Sequence, residues 1–199
     1  MKACSFTIGM PEWYAPFCRE QNPDDLRSEA ERLAFTVELS RRNVETGSGG
    51  PFGAAIFCNH THKLLAAGVN LVTPHTTSLA HAECVSIGIA QQSLGQHDLS
   101  AGGGDYTLYC SAQPCIMCFG AIWWSGIRRV VCAARAEDVE SLTGFFEGPV
   151  PQGWEQLLAE RSPLPAVEVR WGSPALRENA RSVLKAYKDS GAPIYNAGA

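Results

Sequence analysis

Pro114-Cys115-Ile116-Met117-Cys118 and His81-Ala82-Glu83 are two stretches whose residue types and spacing suit a single metal site. The first cysteine stands 34 positions after the histidine, and each stretch opens a predicted helix. Cysteines at positions i and i+3 lie on one helical face, so both sulfurs can reach the same ion. The positive end of the helix dipole also favours their thiolate forms. We therefore expect His81, Cys115 and Cys118 to bind one zinc ion per chain.

Three protein ligands are typical of catalytic zinc, because a fourth position stays open for water. Zinc brings the pKa of that water toward about 7, so a nucleophile is available at neutral pH. Glu83 follows the histidine by two residues and is placed to move protons without ligating the metal. Two other interpretations stay open. One is a redox dithiol, and the other is a structural zinc site with a fourth ligand from His60, His62, His75, His97 or a further cysteine.

The elements around these motifs are predicted from hydrophobic periodicity and turn residues. A first helix is expected from an N-cap at Asp24 to the glycines at 47–50. Strands are expected over Pro51–Cys58, Lys63–Leu71, Tyr106–Ser111, Arg129–Ala134 and Val167–Trp171. Further helices are expected over Leu79–Ser93, Cys115–Trp124, Ala136–Leu142, Gly153–Ala159 and Pro174–Lys188. Strands that alternate with helices indicate an α/β fold.

The length of 199 residues suits one domain. Residues 1–22 are expected to form an irregular arm, residues 24–171 the core, and residues 174–199 a helix and a tail that closes the active site. Eight cysteines without a signal-peptide stretch favour a cytoplasmic protein with reduced thiols. No apolar run approaches the roughly 20 residues of a membrane span. A net charge of −4 disfavours nucleic acid as a partner.

The paired motifs resemble those of the cytidine deaminase-like zinc superfamily over roughly residues 29–134. The resemblance implies a three-layer α/β/α sandwich with a mixed five-stranded sheet, and a homodimer. Further stretches are similar to the bacterial guanine deaminase branch of that superfamily, namely residues 50–55, 67–70, 114–126, 145–149 and 195–196. This likeness implies an enzyme of purine catabolism that converts guanine and water to xanthine and ammonia.

The same resemblance implies roles for individual residues. Asn70 would hydrogen-bond the purine edge, Phe52 would stack on the base, and Ala82 and Tyr195 would contribute to substrate binding. Glu147 would act as a second acid that helps to protonate the leaving amino group. Considered without the resemblance, Phe52 is typical of a core aromatic, Asn70 of a turn, and Glu147 of a solvated loop.

Other substrates stay open at this point. Guanosine, cytosine and an aminotriazine such as ammeline differ from guanine by contacts that the sequence does not resolve. A tRNA adenosine deaminase shares the zinc motifs, but the acidic charge and a tail without a Lys/Arg cluster disfavour it. A zinc protein without enzymatic activity is the alternative from another class. The sequence therefore predicts a small nucleobase as the partner.

Overall fold

The computed structural model describes residues 6–196 and contains one mixed sheet of five strands. The strands are β1 (Gly53–Cys58), β2 (Leu64–Val69), β3 (Tyr106–Ala112), β4 (Arg129–Ala134) and β5 (Glu168–Trp171). Their order across the sheet is β2-β1-β3-β4-β5. Strand β1 is antiparallel to both β2 and β3, whereas β3, β4 and β5 are parallel to one another. The five predicted strands are confirmed, with small shifts at their ends.

Helices cover both faces of this sheet. Within residues 6–196 they are α1 (Tyr14–Gln21), α2 (Glu29–Glu45), α3 (Val72–His75), α4 (Ala82–Leu94), α5 (Ile116–Ser125), α6 (Ala136–Thr143), α7 (Trp154–Ala159) and α8 (Pro174–Asp189). No helix in this part of the chain is both long and apolar enough to cross a bilayer. Helices α4 to α8 correspond to the predicted ones, whereas α1 and α3 are not predicted.

The start of α2 differs from its prediction. Ser28, not Asp24, is the N-cap: its Oγ accepts a hydrogen bond from the Glu31 N–H at 3.1 Å. The Glu31 carboxylate in turn accepts from the Ser28 N–H at 2.8 Å, which completes a capping box. Asp24 lies in a 3-10 turn and accepts a hydrogen bond from the Leu64 N–H. A local cap with two reciprocal bonds therefore outcompetes the earlier acidic residue.

The N-terminal arm also differs from the irregular segment that the sequence predicts. Residues 14–21 form α1, because Phe17 packs into the core against Phe35, with ring centroids 6.0 Å apart. Residues 1–5 of the arm and residues 197–199 of the tail lie outside the described residues.

Two hydrophobic cores lie on opposite faces of the sheet. Alternate residues of β1 point to each: Ala55 and Phe57 join one cluster, and Ala54 and Ile56 join the other. Helices α2, α6 and α8 contribute to the first core, and α4, α5 and α7 contribute to the second. The predicted three-layer α/β/α sandwich with a mixed five-stranded sheet is confirmed.

A glycine on β2 brings α4 close to the sheet. A Cβ on Gly68 would lie 2.5 Å from the Ala82 carbonyl oxygen and 2.8 Å from the Ser86 nitrogen. Only a residue without a side chain allows this approach. Because His81 is the N-cap of α4, this contact also fixes the position of the histidine.

Candidate active site

A cluster of one histidine and two cysteines lies where α4 and α5 begin. Cys115 is the N-cap of α5, and Cys118 lies in its first turn. The His81 Nδ1 atom is 3.4 Å from the Cys115 Sγ and 3.7 Å from the Cys118 Sγ. A tetrahedral zinc ion with ordinary Zn–S and Zn–N bond lengths places its nitrogen and sulfur ligands about 3.6 Å apart. The three side chains therefore fit zinc, and the predicted ligands come together.

The cluster has three ligand atoms and not four. Among residues 6–196, the histidine, cysteine or acidic side chains that meet within 4.8 Å here are His81, Cys115 and Cys118. A third thiol, Cys84, lies 4.0 Å from the Cys118 Sγ but outside that group. His60 and His75 contact the backbone carbonyls of Gly103 and Gly9 instead. This arrangement favours an open catalytic site over a four-ligand structural site.

The three ligands also influence one another electrostatically. Hydrogen bonding from Cys118 and from His81, with the imidazole charge, lowers the pKa of Cys115 to about 4. The same hydrogen bond raises the pKa of Cys118, because the Cys118 thiol keeps its proton to donate to the Cys115 sulfur. Burial of His81 opposes its protonation, but the nearby Cys115 outweighs burial and raises the pKa of the imidazole to about 9. A thiolate is thus favoured at the start of α5, as a zinc ligand requires.

Two carboxyl groups are buried near this cluster. Glu83 is 7% exposed, and burial together with the charge of Cys115 raises its pKa to about 7. Glu147 is 9% exposed, and burial followed by the charges of Cys115 and Glu83 raises its pKa to about 8. Both groups can therefore hold a proton near neutral pH. Such perturbed carboxyls are typical of catalytic acids and bases.

The loop that carries Glu147 is fixed to the start of α5. The Ile116 N–H donates to the Glu147 carbonyl oxygen at 3.1 Å. Gly148 follows with a φ of 75°, and a Cβ there would lie 2.6 Å from the Ile116 Cγ2. Glu147 itself is buried and lines the cavity, so its alternative interpretation as a solvated loop carboxylate is wrong.

A cavity of about 410 Å³ opens beside the cluster. Phe52, Asn70, Glu147 and Tyr195 line it together with His81 and Cys115. Ala82 does not line it, because its side chain is fully buried in the core. A contribution of Ala82 to substrate binding would have to come from its main chain.

An aromatic wall borders the cavity. The Phe52 ring packs on Phe145 with centroids 5.6 Å apart, and Phe145 stacks on Tyr187 at 5.7 Å. The predictions do not include Tyr187, although its position on the buried face of α8 is a detectable signal. Other lining residues without a specific sequence signal are Gly50, Thr73, Ser78, Met117 and Pro193.

Asn70 has a fixed side-chain orientation. Its Oδ1 accepts a hydrogen bond from the Val72 N–H at 3.3 Å, and its backbone N–H donates to the Phe52 carbonyl at 3.0 Å. The carboxamide nitrogen is therefore the group free to donate toward the cavity. Asn70 does act as a local turn former, as its alternative interpretation suggests, and it lines the cavity as well.

The C-terminal tail of the same chain covers part of the cavity. The Asn196 Oδ1 accepts from the Phe146 N–H at 2.9 Å, and its Nδ2 donates to the Gly144 carbonyl at 2.9 Å. The Tyr187 hydroxyl donates to the Pro193 carbonyl. These contacts hold the tail against the loop that precedes Glu147.

Several guanine deaminases are similar to most of this chain in sequence or in structure. The guanine deaminase of Bacillus subtilis is 40% identical over 130 residues, which are 65% of this chain and 79% of that protein. The solved structure of the guanine deaminase from Nitrosomonas europaea is 40% identical in sequence and superposes with a TM-score of 0.84. The superposition covers 95% of this chain and 99% of the Nitrosomonas chain. A further solved structure, a mutant in complex with 8-azaguanine, is 39% identical with a TM-score of 0.81, covering 96% and 98%.

A family comparison agrees with the metal cluster and the fold. Residues 27–134, more than half of the chain, match the family described as the cytidine and deoxycytidylate deaminase zinc-binding region. The matched segment contains His81, Glu83, Cys115 and Cys118. The chain therefore belongs to the cytidine and deoxycytidylate deaminase zinc-binding family.

Proposed function

We propose that this protein is a zinc-dependent hydrolase that deaminates guanine to xanthine and ammonia. One observation carries the proposal: a single cavity is lined by two of the three metal ligands, His81 and Cys115, together with an amide donor, an aromatic wall and a buried carboxyl group. A pocket with few polar anchors and much apolar surface suits a planar, uncharged base. The similarity to guanine deaminases supports guanine as that base.

Glu83 is proposed to move protons at the reacting carbon. When bound, zinc lowers the pKa of a coordinated water and supplies the nucleophile at neutral pH. The Glu83 carboxylate takes a proton from that water and delivers it to the ring nitrogen N3. With a pKa raised to about 7, the carboxyl group can both accept and return a proton near neutral pH.

Glu147 is proposed to protonate the leaving amino group. Its raised pKa keeps the carboxyl group largely protonated at neutral pH, so it can donate. Its place in the cavity wall, beside His81 and Cys115, puts this proton on the side of the metal cluster. The carbon–nitrogen bond then breaks and ammonia leaves. The oxygen atom from water stays on the carbon and gives its remaining proton to the Glu83 carboxylate, so that a carbonyl group forms.

The base itself is proposed to be held by two residues. Phe52 offers a ring face that Phe145 supports from behind. Asn70 offers its carboxamide N–H, because its Oδ1 is directed to Val72. Tyr195, which is 47% exposed, closes the rim of the cavity.

An ammonia-release screen tests this function directly. Purified zinc-loaded protein is assayed with guanine, guanosine, adenosine, cytosine, cytidine and ammeline, and the product is identified by its ultraviolet spectrum. We expect guanine to give the highest kcat/KM, with xanthine as the product. A higher kcat/KM for another compound would replace guanine, and no ammonia from any of them would contradict the deaminase function.

The same protein can be tested as a nucleic-acid enzyme. The net charge of −4 gives little attraction to phosphates, so tRNA should not bind appreciably at physiological salt. Strong retardation of tRNA, with a steep dependence on salt, would favour a tRNA adenosine deaminase instead.

The assembly and the location of the protein are also proposals. Leu79, Ile116 and Trp124 are exposed apolar side chains near the starts of α4 and α5 and at the end of α5, and Trp124 is 76% exposed. We propose that they contribute to a homodimer interface. Light scattering should give twice the chain mass, and Trp124→Glu should give a monomer. We propose a cytoplasmic location, because the cysteines of residues 6–196 are all free thiols, and free thiols persist in a reducing compartment.

A further inference from the structure

Asn43 lies on α2, outside the cavity, and is fully buried. Its Nδ2 atom donates two hydrogen bonds, to the Gly50 carbonyl at 2.8 Å and to the Asn70 carbonyl at 2.9 Å. Gly50 lies two residues before Phe52, the proposed stacking residue, and Asn70 is the proposed substrate-binding asparagine. One side chain therefore joins the backbones of the two segments that hold the base.

The two segments are packed too closely for ordinary side chains. A Cβ on Gly49 would lie 2.0 Å from the Asn70 carbonyl oxygen. A Cβ on Gly50 would lie 2.9 Å from the Asn70 Oδ1, so the Gly50 backbone directly supports the carboxamide. The Gly50 N–H also donates to the Asn70 carbonyl at 3.2 Å. Small movements of residues 49–50 must therefore move the Asn70 side chain.

The buried side chain of Asn43 donates two hydrogen bonds through its nitrogen and accepts none through its oxygen within the described residues. Its Oδ1 has no hydrogen-bond partner within the described part of the chain. A buried acceptor without a partner destabilises a fold, and such a group calls for an explanation. Here the same carboxamide supplies two donor hydrogens from one atom, which an aspartate or a serine cannot do. The two donors account for an asparagine at this position.

We propose that Asn43 is a positioning residue, which acts on the substrate only through the orientation of Asn70. This inference rests on the proposed role of Asn70 in substrate binding. Asn43 holds the Asn70 carbonyl from the α2 side, and Val72 holds the Oδ1 from the other side. Together they fix the direction of the carboxamide N–H before a substrate arrives.

A double-mutant cycle tests the proposal. Asn43→Ala, Asn70→Ala and the double variant are assayed with whichever base the wild type deaminates best, so a wrong substrate assignment leaves the test intact. Asn43→Ala should lower kcat/KM about tenfold, mainly through KM, as contacting residues commonly couple by this amount. In the Asn70→Ala background the same change should have less than about a twofold effect. Equal effects in both backgrounds would overturn the proposal.

A matched control separates positioning from general stability. Thr36→Val removes another buried hydrogen bond of α2, from Thr36 Oγ1 to the Arg32 carbonyl, without touching residues 49–52 or 70. It should lower the melting temperature and leave KM unchanged. If Asn43→Ala does not fold, Asn43→Ser replaces it in the cycle.

A crystal structure gives an answer that needs no turnover. In Asn43→Ser, the Asn70 carboxamide should lose its single orientation toward Val72. An unchanged carboxamide would overturn the positioning role even if guanine is the correct substrate. Conversely, if the carboxamide is displaced in the variant and the wild type does not deaminate guanine, only the proposed function is rejected.

Discussion

Replacing Glu147 by glutamine should slow catalysis while leaving the metal site intact. The substitution keeps the shape of the side chain and its ability to donate a hydrogen bond, but removes a transferable proton. Because the carboxyl group is 9% exposed and faces the cavity, the change is confined to the site. The variant therefore separates proton transfer from packing.

The size of the effect follows from the protonation of this carboxyl group. Burial and the neighbouring charges of Cys115 and Glu83 raise the pKa of this carboxyl group to about 8, so its acid form is favoured at pH 7. General acid catalysis contributes about 10²- to 10⁴-fold to a rate. Since Glu83 can also deliver a proton, we expect a loss of kcat of about 10²-fold, at the lower end of that range.

The assay compares kcat, KM and zinc content for the wild type, Glu147→Gln and Glu140→Gln. Glu140 is an exposed glutamate on α6, so its replacement controls for a glutamate-to-glutamine change that lies near the site but does not line the cavity. We expect one zinc per chain in each protein and an unchanged kcat in the control. A kcat of Glu147→Gln within about threefold of the wild type would refute the assigned role, since general acids contribute far more.

Three further perturbations have defined outcomes. Asp138→Asn should cost about 1–2 kcal/mol of unfolding free energy at pH 7, because two partly exposed arginines and a backbone N–H hold the pKa of this buried carboxyl at about 2. Because the pKa of Asp138 is lower in the folded protein than its unfolded value near 3.9, the ionised carboxylate stabilises the fold above about pH 4. In urea titrations, the difference in unfolding free energy between wild type and variant should therefore shrink as pH falls from about 4 to 2. A difference that does not change with pH would contradict this expectation. Cys118→Ser should reduce zinc content and abolish turnover, as measured by metal analysis; full zinc occupancy would remove this cysteine from the ligand set. Asn196→Ala should raise KM more than it lowers kcat, because its bonds to Phe146 and Gly144 hold the tail over the cavity, and unchanged kinetics would show that the tail does not matter.

The zinc ligands and the positions of the strands along the chain were accessible from sequence patterns. The two cysteines are brought together by the geometry of one helical turn, and His81 lies beside them because α4 packs directly on β2 through Gly68. Strands likewise follow from the alternation of residues, as in β1. The cysteine spacing and the strands depend on neighbours in sequence, whereas the pairing of His81 with the cysteines was inferred from the joint occurrence of the two motifs.

Features that depend on distant contacts were missed or misplaced. The start of α2 was assigned to Asp24, although Ser28 and Glu31 have the spacing of a capping box that could have located it. Helix α1 depends on Phe17 reaching the core, which periodicity alone does not show. Tyr187 enters the cavity wall only because α8 packs across the sheet toward Phe145. Long-range packing determines the last two positions, whereas the start of α2 depends on a local capping box that the prediction overlooked.

The inward turn of Glu147 also depends on a distant contact. Its neighbours Gly148 and Pro149 are typical of an exposed loop, but the loop packs against the start of α5, where Gly148 closely approaches Ile116, and the carboxyl group is buried. The family resemblance identified this residue where local patterns did not. Its catalytic role, like those of Asn70 and Phe52, remains a prediction.

The kcat of Glu83→Ala with guanine, measured on protein of known zinc content, decides whether Glu83 moves protons in a zinc-dependent deamination. We expect one zinc per chain, because Glu83 is not a ligand, and a loss of kcat of about 10²- to 10⁴-fold. Turnover close to that of the wild type, in a variant that retains its zinc, would contradict the account.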